Sequence, residues 1–343
     1  MGQFIASGVL RASLTRDDDW GWKIPYAIQW FWPIPLLIGC YLAPESPWWE
    51  VRRNNPDGAR RALERLTTKS NPDYNVEETL AMIIHTNELE KSVSEGVSYL
   101  DCFKGIDRRR TEIVCGVWLT QTLCGTNIMG YSTYFMRQAG LPTTQSFNMA
   151  LGQYALGVVG TLLSWGLMTR LGRRTIFVGG VSTCFTVMLV VGFTSLAGAK
   201  NIGASWAIGA MLLVFTFVYD LSVGPVCYSL VSELSSTRLK TKTIVLARIG
   251  YNLSNTVINV LTNHQPNPTA WNWGAKSAFF WAGTGFICLV WVFFRLPEPK
   301  GRSYGELDVL FQERVSARKF KTTEVDLFRA EGMAPGLKEK EFV

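Results

Sequence analysis

The sequence predicts an all-α protein that crosses a membrane several times, and three observations carry that expectation. Hydrophobic residues make up 48% of the 343-residue chain and aromatic residues 13%, a balance too apolar for a soluble enzyme of one or two domains. Apolar runs close to the roughly 20 residues that a spanning helix needs recur at 24–43, 112–135, 147–168, 176–196, 203–223, 243–261 and 277–294. Basic residues gather between alternate runs, as Lys and Arg do on the cytoplasmic side of a polytopic protein. The net charge of +7 is therefore read as topology and not as a nucleic-acid surface. Cys40, Cys102, Cys115, Cys124, Cys184, Cys227 and Cys288 are scattered singly, without zinc spacing or a disulfide framework, and read as small apolar fillers.

Residues 2–14 form a marginal further run, short and carrying Arg11, whose lack of acids before Asp17 also resembles a mitochondrial presequence. Ala6 stands where a myristoylation signal requires Ser or Thr. A polar insert follows the run at 24–43. In it Asn55 and Asn75 are placed to cap short cytoplasmic helices lying on the membrane face, the second with acids in its first turn. His85 in that second helix is read as an ordinary surface or packing residue. The insert holds Arg52, Arg53, Arg60, Arg61, Arg65, Lys69, Lys91, Lys104, Arg108, Arg109 and Arg110. Arg170, Arg173, Arg174, Arg238, Lys240, Lys242 and the tail fall on the same side, whereas the opposite loops carry little beyond Arg137, Lys200 and Lys276. This assigns the C-terminus to the cytoplasm.

Polar side chains inside a span are costly and face a bundle interior or a wet cavity. The stretch WLTQTLCGTNIMGYSTYF holds Gln121, Thr122, Gly125, Asn127 and Tyr131, and helical spacing brings Gln121, Gly125, Asn127 and Tyr131 near one broad face. Amide and phenol groups can donate to and accept from the hydroxyls of a polyol; the competing reading is hydrogen bonding between helices. Gly224 and Pro225 are expected to interrupt the run that starts at 203 near mid-depth, which exposes backbone groups to a cavity or ligand. Tyr228, one turn on, is then a candidate for stacking on a sugar ring, or a Tyr packed in the kink. Asp220 is either a proton-titrating group or a buried Asp bonded to a neighbouring helix. RLGRR at 170–174, with Glu233, Arg238 and Lys240, suits interhelical ion pairs that close one state of a transporter, or plain topology anchoring. There is no phosphate-binding Gly-Lys loop, nucleophile elbow or metal-spaced His pair, and His264 stands alone, so no catalytic residue, metal site or cofactor is assigned.

PESPWW at 44–49 and PEPKGR at 297–302 close two apolar runs with the same word, a repeated stop signal typical of an internally duplicated protein. Together with QTLCGTNIMGYSTYF, RLGRR, GPVCYSLVSELSSTRLKTKT, LARIGYN and the extension YGELDVLF, these words resemble the sugar porter family of the major facilitator superfamily. CGTNIMGYSTYF, NPTAWNWGAK and RLPEPKGRSYGELDVLFQERVSARKF look like its fungal maltose and α-glucoside permeases. The resemblance covers nearly the whole chain. It implies an all-α fold of two six-helix halves, with sugar bound between them and protons co-transported. Residues 1–43 then become a remnant of the N-terminal half (part of the fifth helix and the sixth), 44–110 a cytoplasmic helical linker, 111–295 the C-terminal six-helix bundle and 296–343 a cytoplasmic tail, so that most of the first half is absent.

Carried over residue by residue, the resemblance makes Gln121 and Asn127 sugar-contacting amides with Tyr131 nearby. It puts Tyr228 in place of a Trp, and Asn252 in a stretch that also approaches the sugar. Thr122 stands where many members have a second Gln, Gly157 where many have an Asn, and Ser132 where many have a second Tyr. These departures leave more room and fewer direct hydrogen bonds, which suits a disaccharide. Glu45, Arg173, Arg174, Glu233 and Lys240 match the family's cytoplasmic gating charges, and Arg238 and Glu298 join that set. The implied partners are maltose or another α-glucoside, protons and a lipid bilayer, with no nucleic acid, in an integral, plasma-membrane location. Alternating access needs two bundles rocking about a central site, so transport by one bundle alone is not expected. An inactive transporter fragment, a non-transporting sugar sensor and, last, a membrane enzyme are the alternatives.

Overall fold

A computed structural model of the chain describes residues 2–16, 18–67, 74–94, 98–138, 140–197, 201–236, 238–323 and 325. Lys69, Lys200 and the tail from 326 onward lie outside the described residues. The helices, in chain order, are α1 (Gly2–Ser13), α2 (Trp20–Ile28), α3 (Pro33–Leu42), α4 (Pro47–Arg52), α5 (Pro56–Leu66), α6 (Val76–Ser94), α7 (Gly105–Leu123), α8 (Asn127–Gly130), α9 (Ser132–Gln138), α10 (Thr143–Arg170), α11 (Arg173–Ser195), α12 (Ile202–Leu221), α13 (Val223–Leu234), α14 (Lys240–His264), α15 (Ser277–Arg295) and α16 (Tyr304–Gln312). No strand occurs among the described residues.

Where helices break, particular residues are responsible. The run 24–43 is not one helix: α2 gives way to a 3-10 turn at Gln29–Phe31, and α3 restarts with Pro33 in its first turn. Proline lacks the N–H that a continuing helix needs but fits a helix start. α7 begins ahead of the apolar run and stops before Gly125, whose φ of +94° is open to glycine and strained for other residues. The interruption expected at Gly224 and Pro225 lies slightly earlier. Ser222, with φ −128° and ψ −75°, breaks the chain, and Pro225 sits in the first turn of α13, where its missing N–H costs nothing.

The chain divides into two compact units, Thr15–Ser98 and Met1–Leu14 with Tyr99–Val343. In the first, Val51, Ala59, Leu63, Leu80 and Ile83 make a small core. Both expected caps are present: Asn55 accepts from the Gly58 N–H at 3.1 Å and Asn75 from the Glu77 N–H at 3.0 Å. Arg60 and Glu77 pair at 2.8 Å, and His85 is exposed.

In the second unit α10 packs on α12, α11 on α12 and α15, and α7 on α13 and α14. Val117, Phe177, Phe215, Leu230 and Trp281 lie in its core. Leu156, Val159 and Leu163 on α10, and Phe286, Ile287 and Val290 on α15, are exposed, as residues covered by lipid would be. Among the described residues, Thr143–Arg170, Arg173–Ser195, Ile202–Leu234 and Gly274–Arg295 are long and apolar enough to cross a membrane. α7, with Asp107, Arg108, Arg109, Arg110 and Glu112 in its first turns, and α14, with Asn252, Asn255, Asn259 and Asn263, are more polar.

Gly116 on α7 faces the Trp291 ring of α15 so closely that a Cβ would overlap it. Gly116→Ala should destabilise the bundle by about 1–3 kcal/mol through overpacking, seen as a lower unfolding temperature in detergent. An unchanged temperature would mean that Trp291 swings aside at no cost.

Candidate functional site

Gln121 and Thr122 end α7, and both are buried. The Thr122 hydroxyl donates to the Leu119 carbonyl at 2.9 Å and is satisfied inside its own helix. Gln121 differs: its Oε1 has no donor, although the residue is only 7% exposed. Leaving such an acceptor unpaired costs about 1–3 kcal/mol, a cost that packing alone does not call for. After the turn at Gly125, Asn127 donates from Nδ2 to Oδ1 of both Asn255 and Asn259, each at 3.2 Å. The Tyr131 hydroxyl accepts from Nδ2 of Asn263 at 3.1 Å. Asn127 and Tyr131 thus bond helix to helix, the competing reading of these groups, while staying partly exposed.

Tyr228 on α13 is 57% exposed and meets Trp118 of α7 edge to face, with ring centroids 5.1 Å apart. Trp118 also meets Tyr251 of α14 at 5.0 Å, and the Arg248 guanidinium lies over both rings at 4.8 and 4.7 Å. Asn252 is exposed on α14. The result is a surface of amides, phenols and aromatic rings shared by α7, α8, α13 and α14, chemistry suited to a ligand with hydroxyls and an apolar ring face.

Several of these side chains are absent from the sequence-based assignment. Asn255, Asn259 and Asn263 recur every four residues, the helical period that stacks them on one face. That signal is present in the sequence; their pairing with Asn127 and Tyr131 is not. Gln153 on α10 is fully buried, donates to the Met129 carbonyl at 3.4 Å and leaves its own Oε1 unpaired. Asp220 on α12 points its carboxylate at Gly157 of α10, filling the space a side chain there would take. It has no hydrogen bond or ion pair among the described residues.

The charged residues gather at the other end of the bundle. The Glu298 carboxylate accepts from the backbone N–H groups of Arg173 at 2.8 Å, Arg174 at 3.1 Å and Lys300 at 3.2 Å, which caps the start of α11. In return, the Arg174 guanidinium donates to the Leu296 and Phe293 carbonyls at 2.8 and 2.9 Å, capping the end of α15. Arg173 pairs with Glu233 of α13 at 3.2 Å, and Lys300 donates to the Thr169 carbonyl of α10 at 2.8 Å. Arg173, Arg174, Glu233 and Glu298 therefore form one cluster. Arg238 instead pairs with Asp107 at 3.4 Å, and the Lys240 ammonium lies 4.9 Å from the Tyr304 ring. Glu45 belongs to the Thr15–Ser98 unit.

A family described as sugar (and other) transporters matches residues 1–311. The chain is 42% identical over 334 residues to maltose permease MAL61 of Saccharomyces cerevisiae, covering 96% of this chain and 54% of that protein. It is also 42% identical over 335 residues to the general alpha-glucoside permease of Saccharomyces cerevisiae, covering 95% and 54%. The chain thus spans about half the length of these curated relatives. Among solved structures, the inward open xylose transporter XylE from E. coli matches with a TM-score of 0.68 at 19% identity, over 90% of this chain and 62% of that one. A D-xylose-proton symporter matches with a TM-score of 0.62 at 19% identity, over 88% and 62%. At such identity the likeness is one of fold alone.

Glu298→Ala would strip three N–H groups of their acceptor and should cost about 2–3 kcal/mol; Glu298→Gln, which keeps an acceptor oxygen, should cost less. Equal unfolding temperatures for wild type and Glu298→Ala in detergent would remove the cluster's structural role.

Proposed function

The chain belongs to the sugar (and other) transporter family, and on that premise we propose that its bundle supplies the sugar-binding face of a proton-coupled carrier for maltose or another α-glucoside. The observation that carries this reading is the amide and aromatic surface of Asn127, Tyr131, Tyr228 and Asn252, with the buried, unpaired Oε1 of Gln121 one turn ahead of the break at Gly125. Gln121 accepts from a sugar hydroxyl, and Tyr228 offers its exposed ring to the apolar face of a pyranose. Thr122, bonded within α7, lines the site by its position alone. The names of the relatives, a maltose permease and an alpha-glucoside permease, support the substrate class.

Proton coupling in this half falls to Asp220, whose carboxylate lies against Gly157 with no hydrogen bond or ion pair among the described residues. Arg173, Arg174, Glu233 and Glu298 act as the gating cluster at the cytoplasmic end, with Arg238 and Lys240 adding charge to the same bundle and Glu45 assigned to the gating set by its sequence motif. These charges and the carbonyls they reach favour one packing of α10, α11, α13 and α15, and a second packing has to break those bonds. On this reading the location is the plasma membrane, with the C-terminus in the cytoplasm.

Radiolabelled maltose uptake in transporter-deficient yeast tests the reading, with the chain expressed as given and joined to the first bundle of a relative. Gradient-dependent uptake is expected from the joined protein; its absence in both would favour an inactive fragment or a sensor. In the joined protein Gln121→Ala should raise the KM for maltose by about five- to tenfold, the loss of one hydrogen bond of about 1–1.5 kcal/mol, at unchanged surface expression. A parallel fall in expression would assign Gln121 to packing. Asp220→Asn should leave maltose exchange intact and abolish its response to the proton gradient, and an unaltered response would rule Asp220 out as the coupling group.

A further inference from the structure

Away from the sugar face, the start of α7, the end of α15 and the segment after α16 form a half-open cavity of about 370 Å³ lined by Arg109, Arg295 and Arg314, with Phe294, Phe311 and Ser316 in its wall. Three guanidinium groups around one cavity repel one another unless an anion sits between them. Their present partners compensate only in part. Arg109 donates to the Val315 carbonyl at 2.8 Å and lies 5.4 Å from the Phe311 ring. Arg295 is paired with both carboxylate oxygens of Glu112. The Arg314 side chain is exposed and has no ion pair or hydrogen bond among the described residues. Its φ of +53° is a left-handed conformation that Gly or Asn would adopt more readily. An arginine therefore stands at the rim against its backbone preference.

We propose that this cavity binds the phosphate headgroup of an anionic phospholipid. Location selects the lipid over other phosphates. Phe293 and Phe294, 43% and 56% exposed, end a span whose Ile287 and Val290 also face outward. The Arg318 guanidinium lies 4.7 and 4.8 Å from those two rings. A collar of aromatic rings and arginines at the end of a span is where acyl chains give way to headgroups. Guanidinium groups bind phosphate oxygens in bidentate fashion, and basic pockets between spans suit anionic headgroups. Arg109 lies roughly 18 Å along α7 from Gln121, so the site is distinct from the sugar face and would anchor the charged end of the bundle at the bilayer surface.

The test uses the purified chain in nanodiscs of phosphatidylcholine alone and of phosphatidylcholine with phosphatidic acid in equal parts, with retained lipid counted by native mass spectrometry. Phosphatidic acid should be retained over phosphatidylcholine. Arg314→Asn, which suits the left-handed backbone and so preserves the fold, should lower that retention by roughly fivefold. Arg109→Gln is the second variant and should lower it further, with unfolding temperatures reporting that both are folded. Arg137→Gln, in the α9 segment, should leave retention unchanged. Equal retention of the two lipids, or retention indifferent to both cavity substitutions, overturns the proposal. Displacement of the lipid by inorganic phosphate would assign the cavity to free phosphate and overturn the lipid reading.

Discussion

Glu298 and Arg174 close each other's helices, and the arrangement of the bundle depends on that exchange. The first N–H groups and last C=O groups of a helix have no partner within it, and where the helix ends are buried by their neighbours side chains have to supply one. α11 offers bare N–H groups where α15 offers bare carbonyls. A carboxylate following α15 caps the first, and a guanidinium opening α11 caps the second. Each charge sits at the helix end whose dipole favours it. Since Arg173 also reaches Glu233 and Lys300 reaches Thr169, the same few charges tie α10 and α13 to this pair. Four helices thereby share one fixed end.

With that end held, the variation lies at the breaks. Gly125 ends α7 and lets Asn127 and Tyr131 turn toward α14; Ser222 ends α12 and sets the start of α13, which carries Tyr228. Both breaks sit beside polar side chains that a continuous apolar span would have no means to satisfy. Hydrogen bonds between Asn127 and the α14 asparagines steady this surface, and Gln121 and Gln153 each keep an acceptor unmet. A polar network with vacant acceptors is costly as architecture and useful as a receptor for hydroxyl groups.

The spans that hold the runs at 147–168, 176–196, 203–223 and 277–294, the charged turn at 170–174, the caps at Asn55 and Asn75 and the family resemblance were legible in the residues, because they rest on local signals: apolar length, Lys and Arg placement, and side chains that reach backbone two or three residues away. Among the described residues, the runs at 24–43, 112–135 and 243–261 do not give helices long and apolar enough to cross. Asn255, Asn259 and Asn263 were equally visible, and their four-residue period alone would have marked a face of α14. Other features were not visible. Proline at 33 divided the run at 24–43, and proline at 225 moved out of the break that its presence suggested, because a helix start tolerates it better than a helix middle does.

By itself the sequence determined that this chain is helical, membrane-embedded and built on sugar transporter lines, since hydropathy, charge and ordered motifs act along the chain. Tertiary structure alone decided which polar groups meet. Asn127 finds Asn255 and Asn259, Glu298 finds two backbone N–H groups on α11, and Asp220 lies against Gly157 with no partner among the described residues. Those pairings join residues far apart in sequence, and only the packing of helices brings their short-range hydrogen bonds within reach.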